Sequence, residues 1–320
     1  MSSVFGEKPV YVSGKFEGIQ KEEVWTYLLA TGAYGTMGKS AAQAYLSADP
    51  SDAKLVATKK PIYTLADLPL SLDGYLERLQ QAVAFRKQER ARDKHRSFVT
   101  HLGLGPPLSE PQIAQLEASL GYALPDEVKC LMRQWNGLSC VVAQLKPGQQ
   151  VELGQTPLPY AALADSAHPI WQDAIEWLVA TIGIPTWEEI FLRPQARRMC
   201  NHSDSYDPKE VIKIGALKVK AGVLFPRLFV FDLFHHYGGA ALYLDPTDNQ
   251  AKIIYCFDYF ADLTSAQPVS LRMYMESLAA GIWGRIAHAG LRPIRPVSKT
   301  AWPTYIRNIH GAPYVFVELK

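Results

Sequence analysis

Ser109–Gly137 reads SEPQIAQLEASLGYALPDEVKCLMRQWNG, and its helix starts and stops decide how the chain on either side is read. Ser109 followed three residues later by Gln112 is a capping-box pattern, and Glu110 adds negative charge to the first turn. Ile113, Leu116 and Leu120 share one helical face, which Gly121 ends. Leu124-Pro125 forces an extended corner, after which Asp126-Glu127 start a second helix carrying Val128, Leu131, Met132 and Trp135 on one stripe. Asn136-Gly137 stops it, because both residues tolerate the left-handed conformation of a helix exit.

Downstream, SCVVAQL suits a strand, and PIWQDAIEWLVATIG reads as a buried helix carrying Ile170, Trp171, Ile175, Trp177 and Leu178. IPTWEEIF is a short helix that Thr186 can cap. From Val211 the segments VIKIGAL, LFVFDLF, GAALYLD and AKIIYCF are rich in β-branched and aromatic residues, so strands are expected. LFVFDLF suggests a central strand covered on both faces, with Asp232 its one charged interruption. Asp245–Gln250, DPTDNQ, supplies the turn chemistry for a hairpin between the last two strands. Ser270 then caps a closing helix with Leu271, Tyr274, Met275, Leu278 and Ile282 as its stripe. The tail, residues 285–320, is proline-interrupted and basic through Arg285, Arg292, Arg295, Lys299 and Arg307, with YVFVEL as an edge strand.

Upstream, residues 1–100 read as a mostly helical extension. Val24, Trp25, Leu28 and Leu29 form one apolar face, and Leu72, Leu76, Leu79 and Val83 another. The second stripe runs into a basic stretch, Arg86 to Arg96, that reads as a solvated helix face. Residues 101–108, containing GLGPPL, read as the linker between this extension and the helix pair that Ser109 opens.

Composition narrows the function classes. An apolar share of 48% is enough for a core and argues against wholesale disorder. Lys and Arg exceed Asp and Glu by only two, 33 against 31, which argues against general nucleic-acid binding through a large basic surface. Cys130, Cys140, Cys200 and Cys256 are far apart with no Cys-x-x-Cys pair, so neither a disulfide framework nor a zinc site is expected. MSSVFGEKPVYVSG lacks the pattern of a secretory signal, and no apolar run is long enough to span a bilayer. The expectation is a soluble cytoplasmic protein that binds neither membrane nor cofactor.

Ala33–Ser40, AYGTMGKS, fits a relaxed phosphate-binding loop in which Lys39 reaches a terminal phosphate and Ser40 holds Mg²⁺. Its context is wrong, because VWTYLLATG before it reads as a helix where a buried strand is needed. Adjacent His235-His236 point to opposite faces of a strand and seldom share a metal ion. Acidic residues gather nearby, Asp232, Asp245, Asp248, Asp258 and Asp262 against Arg227 and Lys252. A locally negative surface suits a basic partner such as a nuclease. The candidate partner-binding residues are therefore Asp232, His235, His236, Tyr237, Asp245, Asp248 and Asp258, with no catalytic, cofactor or metal residues among them.

The order helix, Leu-Pro-acidic corner, helix, Trp-Asn-Gly, strands, closing amphipathic helix resembles the SMI1/KNR4 (SUKH) superfamily. Leu116, Gly121, Leu124, Pro125, Asp126, Leu131, Asn136 and Gly137 carry the likeness. Ile212–Gly215, Val230–Asp232, Ala241–Asp245 and Phe257–Leu278 extend it. It spans about 109–284, with an unmatched insertion near 157–181. The resemblance implies an α+β fold, a mostly antiparallel sheet with helices packed on one side, here preceded by the helical extension. It also implies a non-enzymatic immunity protein that binds and neutralises a cognate secreted toxin in interbacterial competition. A non-catalytic scaffold or regulatory binding module is the alternative, and a nucleotide-dependent enzyme using Lys39 and Ser40 the third.

Overall fold

The computed structural model describes residues 5, 8–19, 21–35, 39–68, 71–91, 97–159, 168–192, 207–235, 238–257, 268–283, 291–293 and 316–318. It begins with β1 (Pro9–Ser13), α1 (Lys21–Ala30), β2 (Tyr34–Gly35), β3 (Ala44–Ser47), α2 (Ala53–Val56) and β4 (Ile62–Tyr63). The middle comprises α3 (Tyr75–Ala91), β5 (Ser97–Leu104), α4 (Glu110–Leu120), α5 (Asp126–Met132), β6 (Leu138–Leu145), β7 (Ile175–Ile184) and α6 (Trp187–Leu192). Then come β8 (Val211–Ile214), β9 (Leu217–Lys220), α7 (Ala221–Leu224), β10 (Leu228–His235), β11 (Gly238–Asp245), β12 (Gln250–Phe257), β13 (Val269–Ser270) and α8 (Leu271–Trp283). Two short strands, β14 (Leu291–Pro293) and β15 (Phe316–Glu318), pair with each other antiparallel. The chain is an α+β protein, and no helix among the described residues is long and apolar enough to cross a membrane.

The stretch 109–137 folds as its punctuation requires. Ser109 donates from its backbone N–H and its hydroxyl to Gln112 Oε1, at 2.9 and 2.7 Å. Gly121 ends α4 at φ 77°, and Val128, Leu131, Met132 and Trp135 are all buried. Asn136 has a further role that the helix-exit reading missed. Gly137 alone takes the left-handed backbone, at φ 86°, while Asn136 Oδ1 accepts the backbone N–H of Trp187 at 2.8 Å. One side chain thus ties the end of α5 to the start of α6. Thr186 and Glu189 complete that start reciprocally, at 3.1 and 3.2 Å, as the cap reading of Thr186 requires.

Three expectations need correction. The segment PIWQDAIEWLVATIG is not a helix. Its first part is a single 3₁₀ turn, Pro169–Trp171, closed by Gln172 and Asp173 at φ 49° and 56°, and the rest is β7, paired antiparallel with β6. Two successive left-handed residues cannot continue an α-helix, and Ile175, Val179, Thr181, Ile182 and Ile184 favour the strand.

The described residues among the N-terminal hundred are not mostly helical. Strands β2-β1-β3-β4 form a parallel four-stranded sheet, with its own core of Val10, Val12, Val24, Trp25, Leu28 and Leu46. Helix α1 is buried at every residue from Val24 to Ala30, because it lies between that sheet and α8.

The expected linker is not a linker. Gly103 and Leu104 end β5, which pairs along its whole length with β6. Gly105 then crosses the end of α5, its N–H donating to Gly137 O at 2.9 Å and its carbonyl accepting from Asn136 N at 3.3 Å. A Cβ added there lies 1.7 Å from Asn136 O, and a backbone obstacle cannot rotate away. Gly105→Ala is expected to cost about 1–3 kcal/mol in urea unfolding. Gly154→Ala, which meets nothing closer than 3.9 Å, stays within about 0.5 kcal/mol.

Strands β10-β11-β12-β13 make an antiparallel sheet. Strand β10 is covered on both faces as expected, since Phe229, Val230, Phe231 and Asp232 are all buried. It is nevertheless the terminal strand of its sheet, flanked by β7, whose Gly183 N–H donates to Asp232 Oδ1 at 3.2 Å. The main core joins α4, α5, α6, α8 and this sheet. Helix α3 packs on α8 and adds Tyr75, Leu79 and Ala82 to that core.

Candidate partner-binding site

The β11–β12 hairpin is built by its own side chains. Asp245 Oδ1 accepts from Thr247 N and Oγ1 at 2.9 and 2.6 Å, and Asp248 Oδ1 accepts from Gln250 N at 3.0 Å. Asn249 takes φ 52°, a conformation asparagine tolerates. Lys252 Nζ then bridges Asp245 and Asp248 at 2.6 and 2.8 Å. Burial raises the Asp245 carboxyl, but the bonds from Lys252 and Thr247 outweigh it and hold the group below the usual range.

The tip of this hairpin packs against the Pro125 corner. Glu127 Oε1 accepts the Ala251 backbone N–H at 2.8 Å, so the first turn of α5 and the first residues of β12 are locked together. Burial pushes the Glu127 carboxyl up, with Ala251 and Arg272 opposing. On the third side stands the start of α8, where Ser270 Oγ accepts the Met273 N–H at 3.1 Å as the cap reading requires. Arg272 there lies over the Tyr27 ring of α1, 4.5 Å from its centroid. Its Nε is buried with no hydrogen-bond partner.

Between these elements is an open cleft of about 380 Å³, lined by Tyr27, Pro125, Asp126, Glu127, Asp248–Gln250, Ser270 and Arg272. Its rim is polar: the Asp126 side chain is 96% exposed and that of Asp248 38%. Lys129 lies 3.2 Å from Asp126, and Lys252 holds Asp248, so these rim carboxylates carry nearby counter-charges. The arrangement offers directed hydrogen-bonding groups around one guanidinium, more than a strong negative field.

The expected partner-binding residues scatter. Asp232 is fully buried, with Tyr274 Oη donating to its Oδ2 at 2.5 Å and Gly183 to its Oδ1, so it is an interior acceptor and faces no partner. Asp245 is buried and paired with Lys252, which makes it a turn and core residue. Asp248 alone of the described acids in that set stands at the cleft. His235 ends β10 opposite Gly238, while His236, Tyr237 and Asp258 lie outside the described residues. Sequence reasoning missed Tyr27, Pro125–Glu127 and Arg272 as parts of this site, since only the tertiary fold brings them together.

Elsewhere, the Lys39 loop follows α1 and leads to β3, and Lys39 Nζ lies 5.9 Å from the Tyr11 ring centroid. The strand–loop–helix order of a phosphate loop is absent there among the described residues. His101 Nε2 lies 3.4 Å from Ser139 Oγ, which also accepts Leu158 N–H at 2.8 Å. Both side chains are buried, and burial pushes the His101 imidazole below its usual value, so this pair braces the 155–158 segment. No group of three metal-ligating side chains occurs among the described residues. No protein-family model matches the sequence, and no curated protein matches it.

Proposed function

We propose that this chain is a cytoplasmic, non-enzymatic immunity protein that binds a cognate secreted toxin and blocks its active site or substrate access. One observation carries the reading: parts of the chain on which the SUKH likeness rests converge on a single open surface. The Pro125-Asp126 corner of the opening stretch and the start of α8 line the same cleft, beside the tip of the hairpin that follows β11. A toxin loop entering there meets the Arg272 side chain, the Asp126 carboxylate and the Asn249 and Gln250 side chains, and the surrounding surface excludes its substrate. Such a mode is steric occlusion with polar registration, and rim charge governs chiefly the rate of encounter.

Charge reversal at the rim tests this. In a cell expressing a toxin that this chain captures from its native host, the wild-type chain restores growth. Asp126→Arg combined with Asp248→Arg slows association by roughly tenfold or more at low salt, read by surface plasmon resonance, and weakens protection. If the chain captures no toxin from its native host and its deletion causes no self-intoxication, the proposal fails.

The scaffold reading has its own support in the N-terminal parallel sheet, which has a separate core and offers a second body for partners. Removing residues 1–100 does not separate the two, because it also deletes α3 and the first half of β5, Ser97–Thr100, from the main fold. The rim variant does: a scaffold working through the N-terminal sheet keeps its partner when the cleft is reversed.

A further inference from the structure

The β8–β9 hairpin carries a surface that the cleft does not use. Ile212 and Ile214 belong to the main core, with Leu217 and Val219 packed against it, so the opposite face presents Val211, Lys213, Lys218 and Lys220 outward. All four are exposed, Val211 to 51%. Lys213 lies directly opposite Lys218, and Val211 opposite Lys220.

The ladder fixes which kind of pairs these are. Ala221 N–H donates to Glu210 O at 2.9 Å, which makes 210/221 a hydrogen-bonded pair, and alternation makes 212/219 and 214/217 the next two. Lys213/Lys218 is therefore a non-hydrogen-bonded pair, the kind whose side chains approach most closely. Like charges facing each other there are destabilising, and no carboxylate among the described residues forms an ion pair with either lysine.

The same alternation turns the backbone N–H and C=O of Val211 and Lys213 away from β9, toward the free edge of β8. Neither residue has another backbone partner among the described residues. On the β9 side, Lys220 caps α7 and turns the chain away, so β8 supplies the longer open edge.

We propose that the β8 edge is a docking strip for an extended acidic segment of a partner protein, added as a further antiparallel or parallel strand. Side chains of a strand alternate, so acidic residues at every second position face the lysine side while the backbone of the added strand pairs with Val211 and Lys213. The face has no aromatic ring or arginine for base stacking or base reading. A phosphate backbone also has no donor for the edge C=O groups of Val211 and Lys213, so a protein strand fits better than a nucleic acid. This surface is separate from the cleft and does not depend on the toxin reading.

The test uses the full chain and a labelled peptide of about ten residues alternating Glu and Val, long enough to span a strand. Expected are salt-sensitive binding and slowed hydrogen exchange at the Val211 and Lys213 amides. Two variants weaken binding by roughly tenfold or more: Lys213→Glu/Lys218→Glu, which reverses the face, and Val211→Pro, which removes one edge N–H and keeps every lysine. Proline is tolerated at the first residue of an edge strand, and circular dichroism confirms that each variant folds. Undiminished binding in Val211→Pro, unchanged exchange at the two amides, or equal binding of poly-deoxythymidine that the peptide cannot displace overturns the proposal. So does self-association of the lysine variant without peptide binding by the wild type, which identifies the lysines as guards against edge pairing.

Discussion

Trp187→Ala lowers the unfolding free energy by about 3–5 kcal/mol, the range for truncating a large buried aromatic. Trp187 is completely buried. It stacks on Trp135 with centroids 5.0 Å apart and on Phe191 at 6.0 Å, and lies 5.9 Å from Phe231. Its Nε1 donates to Trp135 O at 2.8 Å, and its backbone N–H is held by Asn136. Alanine therefore removes the centre of an aromatic stack that joins α5, α6 and β10, and also orphans the Trp135 carbonyl. The indole bond can be isolated from the stack. Trp187→Phe loses the donor and costs more than Trp135→Phe, because the Trp135 Nε1 has no partner to lose. Leu192→Ala, at a residue 45% exposed, serves as the control within about 0.5 kcal/mol. Urea unfolding followed by tryptophan fluorescence measures all four; a loss under about 1 kcal/mol for Trp187→Ala contradicts the packing described.

That stack lies next to the part of the fold most legible from residues alone. Capping boxes, a Leu-Pro corner and a Gly exit act within a few residues, so Ser109–Gly137 could be read locally. The Asp245–Gln250 turn and the Ser270 and Thr186 caps were legible for the same reason. Strand β7 was not, because it runs beside β6, a strand covered on both faces, and a continuous apolar run has no period to distinguish strand from helix. What decides it is the backbone of Gln172 and Asp173, residues with no glycine to announce the turn.

The N-terminal sheet was illegible because its strands are short, five residues in β1 and two in β4, and their pairing is non-local. Asp232 misled for a different reason. A carboxylate in a sequence signals surface until a hydroxyl and an N–H are found to satisfy it inside. The cleft joins Tyr27, Pro125, Asp248 and Arg272 from four distant places, and no spacing rule reaches that far.

Arg78→Met is expected to cost about 3–5 kcal/mol at neutral pH, the usual penalty for removing one member of a buried ion pair. Arg78 pairs with Glu276 across the α3–α8 contact, with side chains 13% and 1% exposed. Its Nη1 also donates to Asp73 O at 3.0 Å and its Nη2 to Ser71 O at 2.9 Å. Methionine keeps much of the apolar stem, so the loss reports the charge left behind. Glu276 is poorly placed to stand alone: its Oε2 has no hydrogen-bond partner, nor has the buried Tyr75 hydroxyl. Burial already pushes the Glu276 carboxyl above its ordinary value near 4.5, with Arg78 the main opposing influence. Without Arg78 the folded-state value rises further. A carboxyl raised on folding contributes stability that is fully present below its unfolded value and is lost as pH rises through its folded value. The deficit of Arg78→Met relative to wild type therefore shrinks on acidification and is smallest below about pH 4.5, where Glu276 is protonated in both folded and unfolded chains. Measuring both proteins by urea unfolding across pH 4 to 8 cancels the acid sensitivity they share. The double variant Arg78→Met/Glu276→Leu should recover most of the loss and flatten the difference, since an apolar pair of similar volume can replace a buried ion pair. A deficit independent of pH, or one that the second substitution deepens, assigns the role of Arg78 to its bonds with Ser71 and Asp73 instead.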